Sequence, residues 1–478
     1  MARVSSLSAS IVLLASSAVM ALQGVAAADV PTCQGRPATI VGPTSGNSTV
    51  GTPGDDVIVT TAEGASGRGT IDAGDGNDVL CVVPGAGTIP HPNVDSTFDV
   101  MMGAGNDTVV VEETRHTSYL RVTLGGGDDT FLGSSRPETV FAGDAQLAYP
   151  HLGGDSGRDH IDAGLGSDTV YSGSPSPDIP NDDTVISGAG GDSLYIGGRG
   201  AVLDNGGTAG DGTGDNLAII HRGWLQRRVT VDNASRVATS DAGELMRWSN
   251  VQFFHVYVDS PLTFTGSDAA EVLTVSTSLA PEHRYATTVD AAMGTGDDAV
   301  RYATGPMSGT LDGGEGDDSI EMPHCSTIEY RLGRQFRCSD TTDDGGRFSF
   351  VTEARRFEGR TLVTAGRRAD IVGTRSRDAI VVRAPRIFVD ARGGDDRVTV
   401  APYAKTKTST LVGGTGDDVL LGGKRNDRLV GGAGRDLLVG RADDDVLTGG
   451  TGRDTARGGA GKDRCYAETA RRCEVPRT

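Results

Sequence analysis

Between Gly413 and Tyr466 the chain repeats one chemical unit six times without a gap: GGTGDDVLL, GGKRNDRLV, GGAGRDLLV, GRADDDVLT, GGTGRDTAR and GGAGKDRCY. The sixth position is always Asp: Asp418, Asp427, Asp436, Asp445, Asp454 and Asp463. A carboxylate fixed beside a glycine-rich turn can ligate a hard cation, do acid–base chemistry as one of a pair, or tighten the turn by local backbone bonding. The eighth position is apolar throughout: Leu420, Leu429, Leu438, Leu447, Ala456 and Cys465.

The elements that position these groups follow from the same spacing. Glycine takes positive φ without a Cβ penalty and turns the chain sharply. The last three residues of each unit suit a short strand whose middle side chain, the apolar eighth position, faces inward. One unit is half a coil, and two make a flat coil with a strand on each wall. Coils stacked at the strand spacing of ~4.8 Å put Asp418, Asp436 and Asp454 in one column. Asp427, Asp445 and Asp463 form the other. The expected fold class is all-β, a parallel β-solenoid: a β-helix with a C-terminal β-roll.

Carboxylates about 5 Å apart repel by ~3 kcal/mol per pair at an effective dielectric of ~20. Such columns are expected to close only with cations between the coils. Side-chain and turn-carbonyl oxygens on flexible loops favour Ca²⁺ over Mg²⁺, Zn²⁺ or Cu²⁺. The six units resemble the RTX, or haemolysin-type, calcium-binding repeat, whose pattern is GGxGxDxUx. The resemblance implies Ca²⁺ held between turns of adjacent coils, with the position-6 Asp as side-chain ligand. Carried onto this chain, the metal ligands are Asp418, Asp436, Asp454, Asp427, Asp445 and Asp463. Two units depart from the pattern. Arg425 replaces the position-4 Gly of the second, and Arg441 and Asp443 replace both turn glycines of the fourth. A non-Gly residue at positive φ costs on the order of 1 kcal/mol, and an Arg opposes a bound cation. The column of Asp418, Asp436 and Asp454 is therefore expected to be the better site.

Looser copies of the turn lie upstream, among them IDAGDGNDVL ending at Leu80, VTLGGGDDTF at Phe131, LDGGEGDDSI at Ile320 and VDARGGDDRV at Val398. Asp56 to Asp78, Asp107 to Asp129, Asp168 to Asp192, Asp298 to Asp318 and Asp396 to Asp418 are spaced like one coil of a wider β-helix. The longer gap from Asp78 to Asp107 calls for a loop between coils. Asp and Asn favour such turns with no metal at all. Two stretches, Asp215 to Asp290 and Glu321 to Asp390, carry little repeat signal and read as irregular coils or side loops. The expected organisation is a signal peptide over 1–28, a degenerate β-helix-like region over 29–412, the β-roll over 413–466 and a tail over 467–478. At roughly 20 residues per coil the body would be a rod on the order of 90 Å long.

Composition agrees. Of 478 residues, 70 are Gly and 5% are aromatic, too little bulk for one thick core. A formal charge of −20 argues against nucleic acid or anionic lipid as the main partner. Arg3, the apolar stretch Leu7 to Leu22 and Ala26-Ala27-Ala28 read as a cleaved signal peptide. No later stretch is long and apolar enough to insert in a membrane, so a secreted, extracellular chain is expected. Six cysteines then fit three disulfides, and none forms a CxxC zinc pair. Proximity favours Cys465–Cys473 and Cys325–Cys338, leaving Cys33–Cys81.

No catalytic constellation stands out. Gly154-Asp155-Ser156-Gly157 has the string around a trypsin-like nucleophile but sits in a repeat turn without a matching His. HExxH and GxSxG are both absent. Paired acids such as Asp317-Asp318 fall in the turns and point to opposite faces. The expectation is not an enzyme but a secreted calcium-ion-binding repeat protein with a structural or adhesive role. Its expected partners are calcium ions and an extracellular polysaccharide or cell surface. The alternative is a polysaccharide-acting β-helix enzyme, a lyase or epimerase carrying an RTX module, which rests on fold analogy. That alternative requires a cleft on one wall with Arg, Lys, Tyr or His beside acids. A toxin-like role lacks an apolar pore-forming region.

Overall fold

The computed structural model describes residues 30–42, 48–60, 69–83, 97–112, 119–143, 157–174, 179–204, 216–221, 228–241, 243–258, 260–277, 287–304, 307–321, 325–341, 347–357, 359–402 and 406–474. The signal peptide read over 1–28, Ser156 and Trp224 lie outside them. Among the described residues every regular element is a strand, and 41 strands join in one hydrogen-bonded system. No helix there is long and apolar enough to cross a membrane.

The chain winds between two walls of parallel strands. In the C-terminal region wall I contains Thr408–Thr415, Asp427–Gly434, Val446–Gly452 and Arg464–Tyr466. Wall II contains Val419–Leu421, Leu437–Ala442 and Thr455–Ala460. Each strand pairs with the one a full coil later, so Leu420 lies beside Leu438 and Ala456, and Leu429 beside Leu447 and Cys465. All six eighth-position side chains are buried, because alternation along each strand turns that residue into the space between the walls.

Upstream coils follow the same plan with longer loops. Val79–Val82 pairs with Val57–Thr60 and Thr108–Val111 on wall I, and Thr169–Ser172 pairs with Glu138–Phe141 and Ser193–Ile196 on wall II. The stacking passes residue 413 without a break, since Arg397–Val400 pairs with Val419–Leu421 just as Val419–Leu421 pairs with Leu437–Ala442. It also runs past 466: Thr469–Arg471, expected as tail, forms one more wall II strand on Thr455–Ala460.

The two stretches of weak repeat signal are antiparallel meanders set into the solenoid. Val229–Asp232, Val237–Ser240 and Gly243–Trp248 form one, and Cys325–Arg331, Gln335–Thr341 and Arg347–Arg355 form the other. Their first and last strands rejoin the walls in parallel. The three disulfides are Cys33–Cys81, Cys325–Cys338 and Cys465–Cys473. The second clips the second meander, and the third ties the last coil to the chain end.

Candidate metal centre

The position-6 aspartates stack as their spacing implies, but the contact between them differs from bare repulsion. Each carboxylate except that of Asp427 accepts, through Oδ1, the backbone N–H of the aspartate one coil earlier. Asp418 N–H donates to Asp436 at 2.9 Å, and Asp436 N–H to Asp454 at 3.0 Å. In the other column Asp427 N–H donates to Asp445 at 2.8 Å and Asp445 N–H to Asp463 at 3.0 Å. Half of each carboxylate is thus paid in hydrogen bonds, so the columns do not depend on cations alone to close.

The other half is not. Oδ2 of Asp418, Asp436, Asp445, Asp454 and Asp463 is buried without a hydrogen-bond partner. It lies against the position-1 glycine of its own repeat: a Cβ added at Gly431 would stand 2.2 Å from Asp436 Oδ2. The turn carbonyls are stacked as closely. Gly432 has φ of +126°, and a Cβ there would meet Gly414 O of the preceding coil at 2.0 Å. Only glycine lets the turns approach this way.

The same ladder runs upstream. Asp56 N–H donates to Asp78, Asp78 to Asp107, Asp107 to Asp129 and Asp129 to Asp159, at 2.7 to 2.9 Å. Glu138 N–H donates to Asp168, and Asp168 to Asp192. Glu271 N–H donates to Asp298, and Asp298 to Asp318. Asp378 N–H donates to Asp396, and Asp396 to Asp418, which joins the C-terminal column to its upstream neighbours. At the far end Glu468 Oε2 accepts Asp454 N–H at 2.8 Å.

Each ladder opens with a turn of a different kind. Thr52, Ser134, Ser267 and Thr374 each stand four residues before the first acid and donate their hydroxyl to it. The backbone N–H groups of Thr52 and Thr374 bind the same carboxylates at 2.7 Å. Asp427 opens its ladder likewise, taking Gly423 N–H and Ser409 Oγ. Asp427, alone of the six expected ligands, therefore has both carboxylate oxygens hydrogen-bonded within the protein. Two openings adjoin the meanders. Asn233 of the first donates from Nδ2 to Glu271 at 2.8 Å and accepts Trp248 Nε1–H at 2.7 Å.

A second ladder runs along the outer edge at position 5, in the opposite sense. Asn77 N–H donates back to Asp55, Asn106 N–H to Asn77, and Asp128 N–H to Asn106. Asp417 N–H donates to Asp395, while Arg435 holds Asp417 through its backbone N–H and guanidinium, each at 2.8 Å. Those bonds hold the exposed Asp417 carboxyl below its ordinary value. Asp317, read from sequence as a turn group, sits on this ladder through Asp297. The signal was the Asp or Asn that precedes many of the position-6 aspartates.

Burial governs the inner carboxyls. Loss of solvent pushes Asp418 up to about 6, Asp445 up to about 7 and Asp396 up to about 8. Neighbouring carboxylates add to the effect, and the amide donors oppose it. Asp436 is raised for the same reasons. At the opening turn of Asp56 burial also acts upward, but bonds from Thr52 and Thr39 outweigh it and hold that carboxyl below its ordinary value.

The fourth repeat keeps the regular turn despite its two substitutions, with φ of +85° at Arg441 and +65° at Asp443. Arg441 Nη1 donates to Gly422 O at 2.7 Å and Val400 O at 2.9 Å, contacts that offset part of the strain. The second repeat, with Arg425, uses the opening turn, in which neither Gly423 nor Arg425 takes positive φ.

A hard divalent cation fits this chemistry. Among the described residues no group of three or more His, Cys, Asp or Glu side chains converges on a point. A site here would combine carboxylates from successive coils with turn carbonyls, the oxygen-rich donor set that suits Ca²⁺. The buried, unpartnered Oδ2 atoms supply the negative charge, and the glycine turns supply the close approach.

Stacked Gly-Asp turns on a two-walled parallel solenoid define a calcium-binding repeat protein. The RTX calcium-binding nonapeptide repeat family matches four segments, 153–174, 305–321, 412–447 and 439–469, so the chain carries RTX repeats. The last two segments span all six expected ligands. No curated protein matches the chain.

Proposed function

We propose that the protein is a secreted rod whose C-terminal coils are locked by Ca²⁺ and whose role is structural or adhesive. The observation that carries this reading is the row of buried, unpartnered Oδ2 atoms on Asp418, Asp436 and Asp454, one per coil along one column. A buried carboxylate oxygen lacking a donor is costly, and a divalent ion bound there removes the cost. Three disulfides, with no free cysteine among the described residues, suit an oxidising compartment. Millimolar extracellular Ca²⁺ would fill sites with Kd of about 10⁻⁴ to 10⁻³ M.

A non-enzymatic role is preferred because the depression on wall II that carries His255 and Arg301 is otherwise lined by Ser193, Tyr195, Phe253, Phe254, Val272 and Thr274. Among the described residues no carboxylate lines it; the acid that pairs with Arg301, Glu321 at 4.0 Å, is not one of the lining residues. Burial also pushes His255 down to about 4, and its Nε2 lies 2.8 Å from Ser276 Oγ. Calorimetric titration of the secreted chain with Ca²⁺, beside circular dichroism with and without chelator, tests the proposal. Saturable binding with a gain in β signal supports it; no heat and an unchanged spectrum refute it.

A further inference from the structure

The formal charge of −20 averages two unlike stretches. Residues 347–478 hold 26 Lys and Arg against 18 Asp and Glu, a net of +8, while the preceding 346 residues carry 18 against 46, a net of −28. The basic stretch uses 22 Arg and 4 Lys. Eight of its 18 acids are the inner-ladder aspartates from Asp378 to Asp463, which are buried. What this stretch shows to solvent is more basic than its sequence.

Wall II concentrates the effect. Its outer face over this stretch is formed by 360–364, Ala379–Arg383, Arg397–Val400, Val419–Leu421, Leu437–Ala442, Thr455–Ala460 and Thr469–Arg471. Those seven strands contain no Asp or Glu. Arg360, Arg383, Arg397, Arg457 and Arg471 are exposed on them, and none is in an ion pair among the described residues. Arg457 and Arg471 are register partners on neighbouring strands, ~4.8 Å apart at the backbone. Arg360 and Arg397 share a column two strands apart, about 10 Å. Like charges set directly opposite each other are unfavourable unless an anion lies between them. Wall I is mixed: Arg386, Arg428 and Arg464 are exposed there too, but acids share its outer face, with Arg368 paired with Asp370 at 2.7 Å and Asp390 on the strand of Arg386.

We propose that this acid-free arginine face of wall II binds an acidic polysaccharide, a linear glycan bearing carboxylate or sulfate groups at intervals along its length. The inference rests on the adhesive reading above and names its partner. Guanidinium forks match carboxylate and sulfate geometry, which explains arginine in place of lysine. Half-buried Val419, Leu421, Leu437 and Val439 lie between the two arginine clusters and offer an aliphatic floor for the C–H faces of sugar rings. Nucleic acid fits less well. Its charges fall about every 1.7 Å along a duplex, far denser than arginines ~5 to 10 Å apart. These seven strand segments also hold no aromatic ring on which single-stranded bases could stack.

The test uses the calcium-loaded, secreted full-length chain against immobilised hyaluronan (carboxylate), dextran sulfate (sulfate), neutral dextran and duplex DNA, at low and high salt. Salt-sensitive binding to one or both acidic glycans, above neutral dextran and DNA, is expected. Arg457→Gln/Arg471→Gln and Arg360→Gln/Arg397→Gln should each weaken it about tenfold, while Arg368→Gln on wall I leaves it unchanged. Equal binding to neutral dextran, tighter binding to DNA, or glutamine variants that bind like the parent would overturn the proposal. Circular dichroism of the same samples with and without chelator keeps the two readings apart. A preserved calcium response without glycan binding refutes only this surface. Arginine-dependent glycan binding without a calcium response refutes only the calcium lock.

Discussion

Asp445→Asn separates the two states of the inner ladder. Asparagine retains an oxygen for the Asp427 N–H and places a neutral NH₂ where Oδ2 is buried against Gly440. In the calcium-free protein at pH 8 the native carboxyl is charged although its folded value has risen from 3.8 to about 7. A change of that size corresponds to about 4 kcal/mol against the charged form. Discounted by about half for solvent screening, the gain on removing the charge is about 2 kcal/mol. With Ca²⁺ at a hundred times Kd, the parent gains about 2.7 kcal/mol per site, and the variant forfeits that at its altered turn. The stability order should therefore invert: Asn above Asp in chelator, Asp above Asn in calcium. Denaturant unfolding followed by circular dichroism in both conditions measures it. A variant weaker by the same amount in both states would show that Asp445 is a packing residue, and the argument for an ion at its turn would fail.

Acidification should stabilise the calcium-free protein. Carboxyls raised by burial, such as Asp107 and Asp418 at about 6 and Asp396 at about 8, contribute fully below their ordinary value and lose that contribution as pH climbs through 6 to 8. Tm in chelator should fall from pH 5 to pH 8.5, and a rise would contradict the assignment. Gly431→Ala should displace the Asp436 carboxylate and cost about 2 kcal/mol or more, whereas Gly423→Ala, whose Cβ meets Val400 Cγ1 at 3.1 Å, should cost less. Thermal unfolding of the pair decides whether the clash matters. Asp436→Ala should weaken calcium binding more than Asp55→Ala, because Asp55 is exposed and serves Asn77 on the outer ladder. Equal calorimetric losses would mean that the two ladders do not differ in function. Asp443→Gly should add up to about 1 kcal/mol by relieving positive φ, at the loss of only an exposed contact with Arg425.

The C-terminal roll was open to reading because its period is constant. With 18 residues from each Asp to the next in its column, the inward row, the two columns of aspartates and the order of strands follow from pleat and turn chemistry alone. The disulfide pairs followed from proximity. Upstream the loops vary, so the spacing of Asp78 and Asp107 gave no sign that one amide binds the other's carboxylate. The wide period had already linked Asp396 to Asp418, yet not Asp378 or Glu468, whose turns lack the repeat pattern.

What the sequence determined by itself is local and periodic: sharp glycine turns, one inward apolar residue per strand, and one acid per turn. These depend on neighbours a few residues away and on a fixed step between coils. What the tertiary structure alone decided is which group stands over which. It oriented most Oδ1 atoms toward an amide and left most Oδ2 atoms bare, made Thr52, Ser134, Ser267 and Thr374 the openings of ladders, and gathered arginines from distant strands onto one acid-free stretch of wall II. The physical reason is that a solenoid brings together residues separated by loops of unequal length. Their hydrogen bonds and charges then depend on stacking across coils, which no short window of sequence contains.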